Sequence, residues 1–330
     1  MVDLGNLIRR KCKCDMTEDK SNLQRILEAG IFSVTAEIGP PMSADGDLVR
    51  NKAQQLKGIA DAANVTDNQT AIVRMSSIAA SYIALSEGVE PVLQMTCRDR
   101  NRIAIQSDLL GAYALGIRNL LCLSGDHQSF GNHPESKNVF DIDSVQLLHA
   151  LKRMKEEKIF MSGKPSKKPA EFFLGATANP FADPEEMQFI KLHKKIEAGA
   201  QFIQTQAIYD IKKFARWMEK VRSANLHKKA YILAGILVNK SLKSVEMTKK
   251  VPGMQVPDCF VERMAKASNQ QEEGVNIALD LIKDIRKIEG ISGIHIMAVG
   301  WESIVPTIVE RAGLLPRPRI DGLRGSDVNA

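Results

Sequence analysis

Aromatic side chains are scarce in this chain. Phe, Trp and Tyr make up 5% of its 330 residues, and they do not interleave with Lys and Arg as base-stacking surfaces require. That composition argues against a nucleic-acid binder, although the formal charge is +6 and much of the basic excess lies between Lys152 and Lys168. Anionic small molecules fit the charge better. Long apolar runs are also missing, so no membrane span is expected. The first 20 residues are polar and carry Arg9, Arg10, Lys11 and Lys13, which is not the pattern of a signal peptide. Cysteine is limited to Cys12, Cys14, Cys97, Cys122 and Cys259, an odd number at irregular spacings. A disulfide framework is thereby disfavoured and a reducing cytoplasm expected. The six histidines show no ligand spacing on a shared helix face, so no metal site is expected.

What is present is alternation. Short β-branched runs occur at Ser33–Ile38, Ala62–Thr66, Val92–Thr96, Asn119–Leu123, Phe172–Thr177, Phe202–Gln206, Ala230–Ile236 and Gly293–Met297. Amphipathic stretches lie between them, among them Leu48–Ala60, Ile103–Leu115, Ser144–Glu157, Glu185–Ala198 and Ile211–Ala224. Two further helical patterns, Pro257–Ala267 and Gly274–Glu289, precede the last strand. Eight strands with covering helices predict a single (β/α)8 TIM barrel over 31–315, preceded by an arm and first helix (1–30) and followed by a tail (316–330). The Lys, Ser, Gly and Pro residues of Ser162–Pro169 are expected to form a surface loop.

In such a barrel the chemistry sits where strands deliver their C-terminal ends, so polar residues after apolar runs carry the information. Glu37 lies in Thr35-Ala36-Glu37-Ile38-Gly39-Pro40-Pro41. A carboxyl buried there would have its pKa raised and could donate a proton near neutral pH; a barrel-lining Glu held by a structural Lys or Arg is the alternative. Asp126, after Gly125, could stabilise a cation or tune a cofactor, or else cap the following turn. Gln206 offers an amide donor and acceptor suited to the paired polar edge of a ligand, or to a structural hydrogen bond. Trp301 and Glu302 follow the last strand, where they either approach the mouth or form a closing turn.

Together these residues resemble the methylenetetrahydrofolate reductase family, in collinear order from about Phe32 to Pro316. The landmarks are Glu37 before Pro40-Pro41, Thr96-Cys97, Ile117–Asp126, Glu197–Gln206, the Gly235 strand and Asn276–Asp280. The resemblance implies a flavin, normally FAD, at the strand ends and reduction of 5,10-methylenetetrahydrofolate to 5-methyltetrahydrofolate, or the reverse, by hydride transfer through flavin N5. It assigns Glu37 as general acid, Asp126 as the carboxylate that stabilises an iminium cation, and Gln206 as a pterin-binding amide. It places Met247 where an aromatic contacts substrate, and it puts Thr66, Gln94, Ser124, Gly125, Asp126, Thr177, Lys195 and Ala200 at cofactor-contact positions.

Three of those positions depart from better-known members. Gln94 stands where they carry His, Ser124 where they carry Arg, and Thr177 where they carry an aromatic. Losing the Arg removes a cation that could pair with a pyrophosphate, which leaves FMN or an altered FAD pose open. The donor implied is NADH or NADPH, or the electrons of a partner subunit bearing an iron–sulfur cluster or zinc, as in some anaerobic relatives. The basic arm with Cys12-Lys13-Cys14 is a candidate contact for such a partner, and an oligomer is expected.

Overall fold

The computed structural model describes residues 20–251 and 253–318. The Cys12-Lys13-Cys14 arm and residues 319–330 of the tail lie outside them. Eight parallel strands close on themselves in sequence order, β1 (Ser33–Ile38), β2 (Ala62–Val65), β3 (Pro91–Thr96), β4 (Asn119–Leu123), β5 (Phe173–Ala178), β6 (Phe202–Ala207), β7 (Tyr231–Leu237) and β8 (Ile291–Met297). The ring is completed by β8 against β1, with Ser33 opposite Gly293 and Thr35 opposite His295. All strands are buried on both faces or nearly so, which is why they read as apolar runs rather than strict alternations.

The outer ring follows the amphipathic stretches. It comprises α2 (Asp47–Leu56), α3 (Ser77–Ser86), α4 (Arg102–Ala114), α5 (Ser144–Glu156), α6 (Glu185–Glu197), α7 (Ile211–Ser223), α8 (Leu242–Lys249), α9 (Asp258–Lys266), α10 (Gln270–Ile285) and α11 (Val305–Arg311). On α7, Phe214, Trp217, Met218 and Val221 recur at helical spacing and form the buried face. Helix α5 is started by a reciprocal pair in which the Asp143 side chain takes the Gln146 amide and the Gln146 side chain takes the Asp143 amide. The segment predicted as a loop after α5 is one, pinned by an isolated antiparallel bridge between Ile159 and Pro165.

The N-terminal end of the barrel is plugged by α1 (Asn22–Glu28). Its Leu23 and Leu27 pack on Ala62, Val92, Leu121, Phe173, Phe202 and Leu233, the inward residues at the bottom of the strands. Burying each leucine contributes about 1.5–3 kcal/mol. The Glu90 carboxylate meets the first turn, accepting from the Asn22 amide at 2.5 Å and the Leu23 amide at 2.9 Å. With that end closed, the open end is the one at the strand C-termini.

Near that open end the β6–β7 ladder slips between Gln204 and Ala207. Thr205 takes over there, its hydroxyl accepting from the Gly235 amide at 2.9 Å. A Cβ at position 235 would stand 2.3 Å from the Thr205 carbonyl oxygen, so this approach of β7 to β6 requires glycine.

Candidate active site

A cavity of about 420 Å³ opens at the strand C-termini, within the size range of small-molecule sites. Of the residues singled out from sequence, Glu37, Gln94, Ser124, Gly125, Asp126, Thr177, Lys195 and Gln206 line it together. Thr66, Ala200 and Met247 do not. Thr66 is buried just past β2, with a hydroxyl that has no hydrogen-bond partner. Ala200 is buried at the start of β6, at the opposite end of the barrel, where its amide donates to the Lys195 carbonyl. Met247 is 61% exposed on the outer face of α8.

Glu37 is delivered by β1 and is 9% exposed. Burial pushes its carboxyl up to about 7, with the charge of Glu302 adding to the rise and Lys52 and a Gln69 hydrogen bond opposing it. Beneath it His295 of β8 approaches to 4.0 Å. Burial pushes His295 down to about 4, so near neutral pH this approach is not an ion pair. The histidine is held from the other side, with Nδ1 3.0 Å from the Thr35 hydroxyl. Thr35 in turn accepts from Gln204, whose amide exchanges bonds of 2.7 and 3.1 Å with Asn64. The floor of the site is therefore a closed polar network, and Gln204 is fully used by it. Gln206, two residues further along the strand, is the amide left facing the cavity.

The opposite wall is organised by two arginines that the sequence reading does not single out. Arg98 donates to the carbonyls of Asp126 at 3.2 Å and Asn68 at 3.3 Å while forking onto Asp99, which ties the loops after β2 and β4 together. Arg100 forks onto buried Asp67, which also accepts from the Thr96 amide and hydroxyl. The signal available for Arg98 and Asp67 was their place directly after strands. Ser124 donates to the Ser144 hydroxyl at 3.2 Å, so it links β4 to the start of α5. Lys195 reaches the Thr177 carbonyl at 2.7 Å, burial pushes its ammonium below the usual lysine value, and among the described residues no carboxylate pairs with it.

Gly125 takes φ of +91°, and a Cβ there would meet the Cβ atoms of Thr96 and Arg98 at 3.1 Å each. Gly125→Ala is expected to cost about 1–3 kcal/mol of stability by forcing strained backbone against the Arg98 clamp. Urea unfolding measures this, and an unchanged midpoint would show that the turn has room.

A closed parallel barrel with a buried carboxyl, a carboxylate, an amide and a buried ammonium around one mouth defines a TIM-barrel protein with a polar small-molecule site. The chain belongs to the methylenetetrahydrofolate reductase family, whose model matches residues 22–313. It is 27% identical over 232 residues to methylenetetrahydrofolate reductase 1 of Schizosaccharomyces pombe, covering 69% of this chain and 36% of that one. It is 23% identical over 237 residues to the 5,10-methylenetetrahydrofolate reductase of Escherichia coli, covering 69% of this chain and 72% of that one. The chain thus spans little more than a third of the yeast relative's length. Among solved structures, a Clostridium thermocellum protein that binds two copies of 5-methyl-5,6,7,8-tetrahydrofolic acid shares the fold, with a TM-score of 0.59, 12% identity, and coverage of 89% of this chain and 100% of that one. No helix among the described residues is long and apolar enough to cross a membrane.

Proposed function

We propose that this barrel mouth reduces the methylene group of 5,10-methylenetetrahydrofolate to a methyl group, or runs the reverse reaction. The observation that carries the reading is Glu37, a buried carboxyl raised to about 7 that shares one cavity with Asp126 and Gln206. A carboxyl with that pKa holds its proton in a large fraction of molecules near neutrality, and can pass it to the folate nitrogen that departs as the methylene-bridged ring opens. The Asp126 carboxylate stabilises the iminium cation left on the folate. The Gln206 amide holds the pterin edge by a paired donor and acceptor. One proton from Glu37 and one hydride complete the conversion of methylene to methyl.

A flavin bound at this mouth would supply the hydride. Gln94, Ser124, Gly125, Thr177 and Lys195 would hold it, and the Lys195 ammonium, which makes no ion pair among the described residues, supports an anionic group there, a phosphate or an electron-rich ring oxygen. FAD is the expected form, with FMN also compatible with Ser124, and NADH, NADPH or a partner subunit as the source of electrons.

The test bypasses the unknown donor. Protein loaded with flavin and reduced chemically under anaerobic conditions is mixed with methylenetetrahydrofolate, and the folate product and flavin spectrum are followed together. Methyltetrahydrofolate formed in step with flavin reoxidation is the expected result. A reduced flavin that stays reduced in the presence of bound folate would sink the proposal.

A further inference from the structure

Lys52 of α2 sits 2.5 Å from the Glu302 carboxylate and 2.9 Å from the Gly39 carbonyl, although residues 52 and 302 are 250 positions apart. Gly39 is two residues after Glu37, and a Cβ built on it would lie 3.8 Å from Glu302 Oε1 and 4.0 Å from Lys52 Nζ. Glu302 is 7% exposed in the turn that follows β8, the strand next to β1. This end of the mouth thus holds two buried carboxyl groups and one ammonium, and the ammonium is committed to the carboxylate of Glu302.

The other groups facing Glu37 do not replace that missing counter-ion. His295 from β8 is neutral, and Gln69 from the turn after β2 brings a hydrogen bond without charge. Asp67 and Arg98 line the same cavity but are bonded to Arg100 and Asp99. Asp126 and Lys195 line it from the β4 to β6 side.

We infer that Glu302 and Lys52 are positioning residues that keep the proton on Glu37, because Glu302 captures the ammonium that would otherwise pair with Glu37. Two buried carboxylates around one cation leave one of them uncompensated, and the short contact decides which. The inference rests on the reading of Glu37 as proton donor, and it explains why a carboxyl beside a lysine is nevertheless raised: after burial, the charge of Glu302 is the next largest influence.

The test titrates the full-length protein by infrared difference spectroscopy, following the protonated-carboxyl band that Glu37→Gln removes. Glu302→Gln releases Lys52 toward Glu37 and is expected to move the midpoint down by about one pH unit or more. Lys52→Met takes the cation away and is expected to move it up by a similar amount. The double variant returns most of the way to wild type, and Glu302→Asp, which keeps the charge, stays near it. Midpoints unmoved in both single variants would overturn the inference, as would a Glu302→Asp shift as large as that of Glu302→Gln, which would assign the effect to packing. Failure of the acid reading shows itself separately, as wild-type folate turnover in Glu37→Gln.

Discussion

Glu37→Gln is expected to lower folate turnover by about 10²–10⁴-fold, the usual contribution of a positioned proton donor, and at the same time to stabilise the folded protein above neutral pH. Both effects have one cause. The Glu37 carboxyl is raised from 4.5 to about 7 because the folded state penalises its charge. A carboxyl raised by folding binds its proton more tightly in the native than in the unfolded chain, so its contribution is intact below about 4.5 and is lost as pH rises through about 7. At about 1.4 kcal/mol per unit, the loss amounts to about 3–4 kcal/mol in alkaline solution. The near-complete burial of Glu37 leaves little solvent screening to reduce it. Glutamine has no charge to penalise, so urea unfolding is expected to show the variant more stable than wild type at pH 8.5 and level with it near pH 4. Equal stability at both pH values would mean that the carboxyl is not raised, and retained turnover that it does not donate. In the wild type, the same titration predicts folate reduction that declines as pH passes about 7.

The barrel was legible because its physics repeats. Each predicted strand overlaps an observed one, since a strand buried on both faces must be a compact β-branched run and parallel neighbours must be separated by a crossover. Helix α3 has no comparable signature. Its sequence places Ser77, Ala80, Ser81 and Ala84 against the barrel and carries no charged outer face to set a period. The polar residues at strand ends were legible for a topological reason, and Glu37, Gln94, Ser124, Asp126, Thr177 and Gln206 do share one cavity.

What sequence could not supply was phase and distance. Met247 lies on a helix, where a step of one residue turns a side chain by about 100°; Met247 is exposed on α8 while its neighbour Thr248 is buried. Ala200 belongs to the N-terminal end of β6, so proximity in sequence to Lys195 and Gln206 concealed a full strand length between it and the mouth. Lys52 and Glu302 meet only because β8 closes against β1, a contact no local pattern encodes. The sequence alternative for Glu37, a glutamate held by a structural lysine, has a lysine in place, but that lysine is held by another glutamate.

A second large effect is expected at the closed end of the barrel, where the chain beyond the predicted boundary at 315 turns out to be fastened to the strands. Arg317 forks onto Asp61 with contacts of 3.0 and 2.6 Å and also donates to the Phe32 and Leu314 carbonyls. The same carboxylate accepts from the Val34 amide at 2.7 Å. Arg317 thus joins the starts of β1 and β2 to the segment after α11. Asp61 has a side chain only 1% exposed, and Arg317 is 8% exposed. Arg317→Ala strands that carboxylate in the interior with one backbone amide for company, and is expected to cost about 3–5 kcal/mol. Arg317→Lys recovers part of this, because an ammonium can neutralise Asp61 but cannot fork across both oxygens and reach two carbonyls as well. Asp61→Ala is expected to cost less than Arg317→Ala, since the freed guanidinium lies nearer the surface and can turn toward water. The Asp61→Ala, Arg317→Ala double variant removes the buried charge along with its partner, so its loss falls well short of the sum of the two single losses. Urea unfolding of the four proteins measures the coupling; additive losses would mean that the fork contributes no more than a surface ion pair.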